Sequence, residues 1–422
     1  MHTTDTLIIG GGQAGLALSR CLTDRGHDHL VLERGQVAQR WHSERWDSLR
    51  LLTPNWMTRL PGHVYTGDDP DGFMTAAEVA AFLAQYAESF GAPIIENTNV
   101  LRLTHHGGHF LVATDHGCFL SHNVVIATGW CDRPAIPAAA RNLSPRVHQI
   151  VPSEYRRADD LPAGGVLVVG ASATGVQLAD ELHRSGRPVT IAVGSHSRMP
   201  RRYRGMATFW WLERIGAFDR TIDDVDDVVA ARNEPSLQLV GRPDNATLDL
   251  ATLQSDGVRV VGRVHAFDGD RAATSADVGQ VIAAADQRMR RVLDRIDDVI
   301  ARLGLGSELL DPEPLAPVDA GDTPSSLDLA AGGINSIVWA TGHRRSYEWL
   351  DLPVLDVGGE IRQRRGVTPF AGAYVLGQRF QHYRNSNFID GVGRDAEFVA
   401  DHICIRTAAH IHTPSFHQSL QN

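Results

Sequence analysis

The chain contains no lysine, and all 40 of its basic residues are arginine. Enzymes that form a Schiff base with pyridoxal phosphate or with a carbonyl substrate need a lysine amine, and so do P-loop proteins and protein kinases at their nucleotide phosphates. The absence of lysine excludes these classes. Any bound phosphate must be held by arginines, by hydroxyl groups or by the free N–H groups at the start of a helix.

Cysteine is also scarce, with four residues in 422, at positions 21, 118, 131 and 404. None lies in a CxxC pair or at the spacing of a metal site, which argues against a disulfide framework, a zinc site and dithiol redox chemistry. We therefore expect no bound metal and a location in the reducing cytoplasm.

Long apolar runs and an excess of positive charge are missing as well. No stretch approaches the roughly 18 apolar residues that cross a bilayer, and the N-terminus lacks the basic and apolar regions of a signal peptide. The formal net charge of −10 argues against a nucleic acid or an anionic membrane as the main partner. We expect no nucleic-acid or membrane partner and no membrane span.

The first 35 residues are typical of a strand, a glycine turn, a helix and a second strand. An apolar strand runs into GGGQAG at 10–15, an apolar-periodic helix follows, and the next strand ends in Glu33. In this βαβ context Gly10, Gly12 and Gly15 allow a tight turn and the close approach of a pyrophosphate to the helix N-terminus. Glu33 is the carboxylate expected to bind a ribose hydroxyl.

A second unit of the same kind begins about 160 residues later. Its turn, GASATG at 170–175, has Ser172 in place of the middle glycine, and its second strand ends without a counterpart of Glu33. A 2′-phosphate would be repelled by an acid at that place and held by Ser195 and Arg198. The second unit is therefore predicted to bind NADPH rather than NADH, with a solvated basic loop as the alternative.

Two dinucleotide sites on one chain imply that a hydride passes from a nicotinamide to a second redox cofactor, here FAD in the N-terminal unit. The length is two to three times that of a usual domain. The predicted fold class is α/β, with two Rossmann-like domains, the second inserted into the first, and a helical segment that covers the substrate. We place the FAD domain at 1–157 and 330–405, the NADPH domain at 158–329 with a helical insertion at 206–310, and a flexible tail at 406–422.

Further stretches accompany the two glycine turns and extend the pattern over the chain. They are RW at 40–41, WDSLRLLTP at 46–54, RRYRG at 201–205, WATG at 339–342 and GVGRDA at 391–396. Together with both turns, this set resembles the flavin-containing monooxygenase family, in particular its bacterial flavoprotein relatives. The resemblance covers nearly the whole chain, to about residue 405.

The resemblance implies a monooxygenase in which NADPH reduces FAD, O2 adds to the flavin as a C4a-hydroperoxide, and a small molecule is oxygenated at nitrogen, sulfur or activated carbon. It also implies an asparagine beside the flavin and a histidine shortly before the second unit. Asn55, displaced by one residue, is the candidate catalytic asparagine, and a turn-forming role after Pro54 is the alternative. His148 is the candidate histidine as a shifted equivalent, unless this histidine is absent.

Cofactor-binding roles are assigned to residues of the glycine turns, of the stretches that carry the resemblance and of the two Ala-Thr-Gly turns. They are Gly10, Gly12, Gln13, Ala14, Gly15, Glu33, Arg34, Arg40, Trp41, Thr53, Ala127, Thr128, Gly129, Gly170, Ser172, Ala173, Thr174, Gly175, Ser195, Arg198, Arg201, Ala340, Thr341, Gly342, Arg394 and Asp395. An NADPH-dependent reductase or oxidase that does not oxygenate is the alternative function, and a flavoprotein sensor is a third. A homodimer is left open.

Overall fold

The computed structural model of the protein describes residues 1–321 and 323–411. The strands are β1 His2–Ile9, β2 His29–Leu32, β3 Arg59–Leu60, β4 His63–Val64, β5 Ile94–Ile95, β6 Val100–His106, β7 His109–Thr114, β8 Gly117–Ile126, β9 Arg133–Pro134, β10 His148–Ile150, β11 Gly165–Val169, β12 Val189–Val193, β13 Arg202–Tyr203, β14 Met206–Ala207, β15 Arg259–Gly262, β16 Val264–Asp268, β17 Arg271–Thr274, β18 Ser326–Asp328, β19 Ile334–Trp339, β20 His343–Arg344 and β21 Ala373–Val375. The helices are α1 Gln13–Asp24, α2 Gln39–Ser43, α3 Ala76–Ser89, α4 Ala173–Arg184, α5 Thr208–Arg214, α6 Val228–Asn233, α7 Leu250–Ser255, α8 Val278–Leu303 and α9 Val392–Ile411.

The first sheet contains the N-terminal glycine-turn unit. Its strands follow the order β5-β2-β1-β8-β7-β6, and β21 also pairs with β8. The central strand β1 runs parallel to β2 and β8, with Ile8 beside Val31 and Val125. Helices α1, α3 and α9 pack together over one face of this sheet. Because both faces of the central strands are covered, their residues are apolar in continuous runs.

The second sheet has five parallel strands in the order β10-β19-β11-β12-β15, with α4 and α7 packed on one face. Strands β10 and β19 therefore belong to the second domain. The predicted boundaries at 157/158 and 329/330 are wrong, since this domain already includes 148–150 and extends to Trp339. The physical reason is that β19 forms its hydrogen bonds with β10 and β11 instead of with the first sheet.

The chain crosses between the two units at adjacent places. Strand β8 ends just before the first Ala-Thr-Gly turn, and β19 ends just before the second. Strands β9 and β20, which follow these turns, pair with each other in an antiparallel way. The second unit is thus inserted into the first, and the predicted fold class is confirmed.

The segment expected to cover the substrate packs around α5 and α8. Phe209 and Trp211 of α5 share a buried cluster with Met289 and Ile296 of α8. Helix α8, with 26 residues, lies within the predicted helical insertion at 206–310. The predicted insertion at 206–310 is not wholly helical, because β15, β16 and β17 lie within it and β15 is the edge strand of the second sheet.

The C-terminal helix is longer than the sequence suggested. Helix α9 continues to Ile411, so residues 406–411 of the predicted tail are helical, and the rest of that tail, 412–422, lies outside the described residues. Among the described residues, no helix combines the length and the hydropathy that a membrane span requires. Within the same ranges, no three His, Cys, Asp or Glu side chains are grouped to hold a metal ion.

Candidate functional site

The first glycine turn has the geometry of a nucleotide cradle. Gly10 has φ +115°, and a Cβ there would lie 2.5 Å from the Ala127 carbonyl oxygen. A Cβ on Gly15 would lie 1.9 Å from the Gly10 carbonyl oxygen, so α1 can pack this closely on the turn because position 15 is glycine. At Gly12, by contrast, a Cβ would have no atom of the described residues within 4 Å. The middle glycine therefore leaves open space at the helix N-terminus, where a diphosphate binds in such turns.

The carboxylate of Glu33 lies beside this turn, as predicted. The residue is 8% exposed, and its Oε2 accepts a hydrogen bond of 2.7 Å from the backbone N–H of Gly11. Its Oε1 accepts one of 3.1 Å from the backbone N–H of Gly35. These bonds fix an acid at the end of β2, where a ribose hydroxyl can reach it.

A cleft of about 660 Å³ opens between the first turn and the crossing segments. Many of its lining residues are among those predicted to bind a cofactor. They are Gly10, Gly12, Gln13, Ala14, Glu33, Arg34, Arg40, Trp41, Ala127, Thr128 and Gly129. Gly15 lies next to this lining under the turn, and Thr53 is not part of it.

Several residues of the cleft were missed in the sequence. Trp130 and Cys131 follow the first Ala-Thr-Gly turn, 98–101 enter β6, and Arg45 follows α2. The guanidinium of Arg45 stacks on Trp41 at 5.1 Å from the ring centroid. In the sequence, these residues differ from others only in lying next to the end of a strand or helix. That position is too common to identify them as part of a site.

The second turn repeats the strained positions of the first. Gly170 has φ +113°, with its Cβ position 2.3 Å from the Ala340 carbonyl oxygen, and a Cβ on Gly175 would lie 1.9 Å from the Gly170 carbonyl oxygen. Ser172 is the N-cap of α4 without a side-chain cap bond, and no acid lies in the first helical turn, which includes Ala173 and Thr174. The backbone N–H groups of this turn are therefore available to an anion.

The second Ala-Thr-Gly turn supports this arrangement from the crossing segment. The Thr341 hydroxyl donates a 2.9 Å hydrogen bond to the Ala135 carbonyl, and Gly342 has φ +86°. Thr341 and Gly342 thus hold the crossing segment in place. The contact of this segment with the second glycine turn is made by Ala340, next to Gly170.

The structure contradicts the phosphate-binding role predicted for Arg198. The side chain is 3% exposed and forms ion pairs with Asp249 at 2.7 Å and with Asp286 at 2.9 Å. It also donates a hydrogen bond to the Ala316 carbonyl. Burial alone would lower the pKa of Arg198, but the two carboxylates raise it. Arg198 therefore connects loops of the second domain and has no free face for a 2′-phosphate.

Arg263 occupies the place that was predicted for Arg198. It directly follows β15, which pairs with β12, and its Nε and one terminal nitrogen lie 3.1 Å from the Cβ position of Gly194. Both Arg263 and Ser195 are exposed, and Arg263 forms no ion pair with a described carboxylate. A guanidinium and a hydroxyl thus lie at the carboxyl end of β12. The sequence missed Arg263 because it belongs to a later strand.

Arg201 also lies away from this edge. It is 2% exposed and donates a 2.7 Å hydrogen bond to the Leu52 carbonyl of the first domain. Its guanidinium carbon lies 4.2 Å from the centroid of the Phe73 ring. The residue is placed between the two domains, away from the end of β12 where the 2′-phosphate is expected.

Asn55 has the turn-forming role that was the alternative to a catalytic one. Its side-chain amide donates a 2.9 Å hydrogen bond to the Asp69 carbonyl, and its oxygen accepts one of 2.8 Å from the Met74 backbone N–H. The residue is 4% exposed and begins a short 3-10 turn. Both ends of the amide hold the 69–74 loop, which accounts for Asn55 in the structural role that was its alternative, and its catalytic role stays a prediction.

His148 lies outside the cleft as well. It is an exposed residue at the start of β10, the edge strand of the second sheet. The residues that line the cleft do not include it. The predicted catalytic role of His148 is therefore not supported by its position.

The last two predicted cofactor residues begin α9. Arg394 forms an ion pair of 2.8 Å with Asp219 and donates a 3.0 Å hydrogen bond to Asn385. Asp395 is 2% exposed, and its Oδ2 has no hydrogen-bond partner in the part of the chain that the structure describes. Neither lines the cleft, so the structure ties Arg394 to the covering segment and encloses Asp395 at the helix start.

The buried acid predicts a pH dependence of stability. Burial raises the pKa of Asp395 to about 6, although Ser386 and Arg394 oppose the shift. Because the folded state disfavours the ionised form, the free energy of unfolding should fall as pH rises from about 4 to about 6. In the wild type this fall in the free energy of unfolding should be about 3 kcal/mol between pH 4 and pH 7. Asp395→Asn should abolish it, as measured by urea unfolding at the two pH values. Glu397→Gln, an exposed neighbour on α9, is the control; parallel profiles for wild type and Asp395→Asn would contradict the assignment.

Residues 7–230, which include both glycine turns, match the pyridine nucleotide-disulphide oxidoreductase family. The match covers more than half of the chain. The protein belongs to the pyridine nucleotide-disulphide oxidoreductase family. The predicted class, an oxidoreductase, is confirmed.

Relatives of this pyridine nucleotide-disulphide oxidoreductase extend the comparison. An uncharacterized CzcO-like oxidoreductase from Geobacillus kaustophilus is 31% identical over 95% of this chain and 99% of its own. The probable indole-3-pyruvate monooxygenase YUCCA1 of Arabidopsis thaliana is 32% identical over 48% of this chain and 50% of its own. A flavin-containing monooxygenase from Stenotrophomonas maltophilia shares the fold, with a TM-score of 0.67 at 17% identity over 96% of this chain and 100% of its own. The resemblance to flavin-containing monooxygenases is confirmed.

The cysteines of this member of the pyridine nucleotide-disulphide oxidoreductase family form no disulfide among the described residues. All four cysteines are free, and Cys21 is buried. Disulfide exchange needs a thiolate that attacks a disulfide and a partner thiol within bonding distance. None of the four lies in a CxxC pair, the sequence arrangement typical of dithiol redox sites.

Proposed function

We propose that the protein is a monooxygenase that uses FAD and NADPH to oxygenate a small molecule with O2 at nitrogen, sulfur or activated carbon. FAD binds in the cleft at the first glycine turn, and NADPH binds at the second. Both O2 and the substrate are small molecules, and the free cysteines support a cytoplasmic location.

The observation that carries this proposal is the open position at Gly12 within the cleft. A Cβ at this residue would fill space that no protein atom occupies, whereas the flanking glycines are tightly packed. Glu33 lies at the same end of the cleft to accept a ribose hydroxyl, and Trp41 contributes an aromatic wall. These residues fit the diphosphate and ribose of a dinucleotide.

The charge at the end of β12 supports NADPH at the second turn. The strand ends in Val193 and Gly194 without the carboxylate that selects NADH, and Ser195 and Arg263 supply a hydroxyl and a free guanidinium. A guanidinium binds phosphate through two parallel N–H groups. Arg263 therefore replaces Arg198 in the proposal.

Oxygenation is supported by the similarity to a plant monooxygenase over 48% of the chain and by the lack of a CxxC pair. FAD supplies the redox and oxygen-activating chemistry when bound. The chain's part is to hold two dinucleotides at adjacent helix N-termini and to exclude water beneath the covering segment. Buried Phe209 and Trp211 give that segment an apolar inner side.

A reductase or oxidase that transfers electrons without oxygenation is the second candidate. The positions of Asn55 and His148 favour it. The amide of Asn55, the residue that the resemblance places beside the flavin, is bonded to the 69–74 loop, and His148 lies at the edge of the second sheet, outside the cleft. Both functions share FAD and NADPH, so they differ only in the fate of O2.

Anaerobic titration of the purified, FAD-loaded protein tests the shared part. We expect one equivalent of NADPH to bleach the oxidised flavin absorbance rapidly and with a saturable rate. A flavin that stays oxidised under excess NADPH and under excess NADH would contradict both enzymatic functions and would favour a sensor.

A further inference from the structure

Arg201 is a buried cation whose hydrogen bonds are incomplete. The residue is 2% exposed, and one terminal nitrogen donates a 2.7 Å hydrogen bond to the Leu52 carbonyl. Its Nε is buried and has no acceptor among the described residues. Buried donors in proteins are nearly always paired, so a free one calls for an explanation.

The positive charge of Arg201 is also uncompensated. Burial lowers the pKa of Arg201 to about 10, and no charged group of the described chain offsets this effect. Nearby arginines are different, since Arg198 pairs with Asp249 and Asp286, and Arg204 pairs with Asp297 at 2.7 Å. A buried charge without a counter-ion destabilises the fold, and such groups cluster at binding sites.

Aromatic rings cover the guanidinium. Its carbon lies 4.2 Å from the ring centroid of Phe73 and 5.6 Å from that of Phe209. Stacking on a ring leaves the in-plane edge of a guanidinium, here the side with Nε, for a planar anion. Phe73 belongs to the first domain and Phe209 to the covering segment. The rings around the guanidinium therefore suit a ligand that is an acid with an apolar body.

Arg201 is bonded to the segment that joins the cores of the two domains. Leu51 packs into the core of the first domain, and Leu52 packs into the core of the second. Between these cores, the Arg50 carbonyl accepts a 3.3 Å hydrogen bond from Gln177 of α4. Arg201 is bound to this same segment through Leu52. If the proposed function holds, the substrate reacts between the two dinucleotides, on which this inference rests.

We propose that Arg201 binds the carboxylate of the substrate, and that the substrate class is a small organic acid with an aromatic or extended apolar body. The cation stacks on Phe73, offers Nε to one carboxylate oxygen, and gains its missing counter-ion when the acid binds. A dinucleotide phosphate is disfavoured at this place, because the glycine turns already provide N–H groups for both diphosphates and the rings around Arg201 are apolar.

Binding to the FAD-loaded protein tests the proposal without turnover. Phenylpyruvate, phenylacetate and indole-3-acetate, each beside its neutral amide, are titrated while tryptophan fluorescence is followed. The wild type should bind each acid at least about tenfold more tightly than its amide. Arg201→Gln should weaken the acids by about 20-fold and leave the amides unchanged. Arg202→Gln, an exposed neighbour whose side chain bonds the Gly205 carbonyl, should leave both unchanged.

Stability separates a ligand-binding charge from a structural one. Without ligand, Arg201→Gln and Arg201→Met should have a melting temperature no lower than that of the wild type, since an unpaired buried charge is removed. A lower melting temperature in both variants would show a structural role and overturn the proposal. It is also overturned if no acid binds, if acids and amides bind equally, or if the preference survives in Arg201→Gln.

Anaerobic reduction of the flavin by NADPH distinguishes failure of the carboxylate site from failure of the proposed function. The rate and the KM for NADPH should be unchanged in Arg201→Gln. A raised KM for NADPH in this variant would assign Arg201 to the nucleotide and refute the carboxylate site. If the wild type itself is not reduced by NADPH, the proposed function fails, whatever the binding assay shows.

Discussion

Gly12→Ala should abolish FAD binding and leave the fold intact. The residue has φ −88° and ψ −173°, which an alanine adopts without strain, and the added methyl group meets no protein atom within 4 Å. The methyl occupies the space through which a diphosphate approaches the helix N-terminus. We expect FAD affinity to fall by at least about 100-fold, or about 3 kcal/mol. The ratio of flavin to protein absorbance after gel filtration measures it.

Two other glycines provide matched comparisons. Gly306→Ala also adds a methyl in open space, on an exposed loop far along the chain, and should retain full FAD content. Gly15→Ala should fail to fold, because its methyl would lie 1.9 Å from the Gly10 carbonyl oxygen. If Gly12→Ala kept stoichiometric FAD, or if it unfolded like Gly15→Ala, the cleft would not be the FAD site described here.

Substitution of two arginines of the second domain should affect different properties, nucleotide binding for Arg263 and stability for Arg198. Arg263→Gln removes an exposed guanidinium beside Gly194 and should raise the KM for NADPH by about 30-fold without changing that for NADH. Arg198→Ala leaves Asp249 and Asp286 without their partner and should lower the free energy of unfolding by about 3 to 5 kcal/mol. Steady-state kinetics with both nucleotides and urea unfolding measure the two effects.

Arg259→Gln is the control for Arg263→Gln, because Arg259 is exposed at the opposite end of the same strand. It should change neither the kinetics nor the stability. An Arg263→Gln variant with an unaltered preference for NADPH would remove Arg263 from the 2′-phosphate site. A fully stable Arg198→Ala variant with weakened NADPH binding would restore the original role of Arg198.

The two glycine turns were predictable because their requirements are local. Gly10, Gly15, Gly170 and Gly175 are needed for contacts within a few residues or with the adjoining strand, and the spacing in the sequence carries that information. The acid at Glu33 was predictable for the same reason, since it ends the strand beside the turn.

The residues around the second nucleotide were not predictable from local spacing. Arg198 follows β12 as a phosphate ligand would, but its partners Asp249 and Asp286 come from 51 and 88 residues later in the chain. Only the tertiary fold shows that these carboxylates enclose it. The same fold brings Arg263 from the next strand to the place that the sequence had assigned to Arg198.

The domain limits and the partners of Asn55 could not be predicted for a related reason. Strand β19 has an apolar run and an Ala-Thr-Gly ending like β8, so its sequence does not reveal which sheet it joins. Asn55 has the right neighbours for a flavin contact, but the backbone of the 69–74 loop takes up both ends of its amide. Both outcomes depend on partners distant in sequence.

Isotopic oxygen tests the central claim most directly. The FAD-loaded protein is given NADPH and ¹⁸O2 with thioanisole, N,N-dimethylbenzylamine, phenylacetone or phenylpyruvate as acceptor, and the products are analysed by mass spectrometry. A monooxygenase should place one ¹⁸O atom in an organic product for each NADPH consumed in coupled turnover, and the other in water. Unlabelled products throughout, with all consumed O2 recovered as hydrogen peroxide, would contradict oxygenation and leave the oxidase.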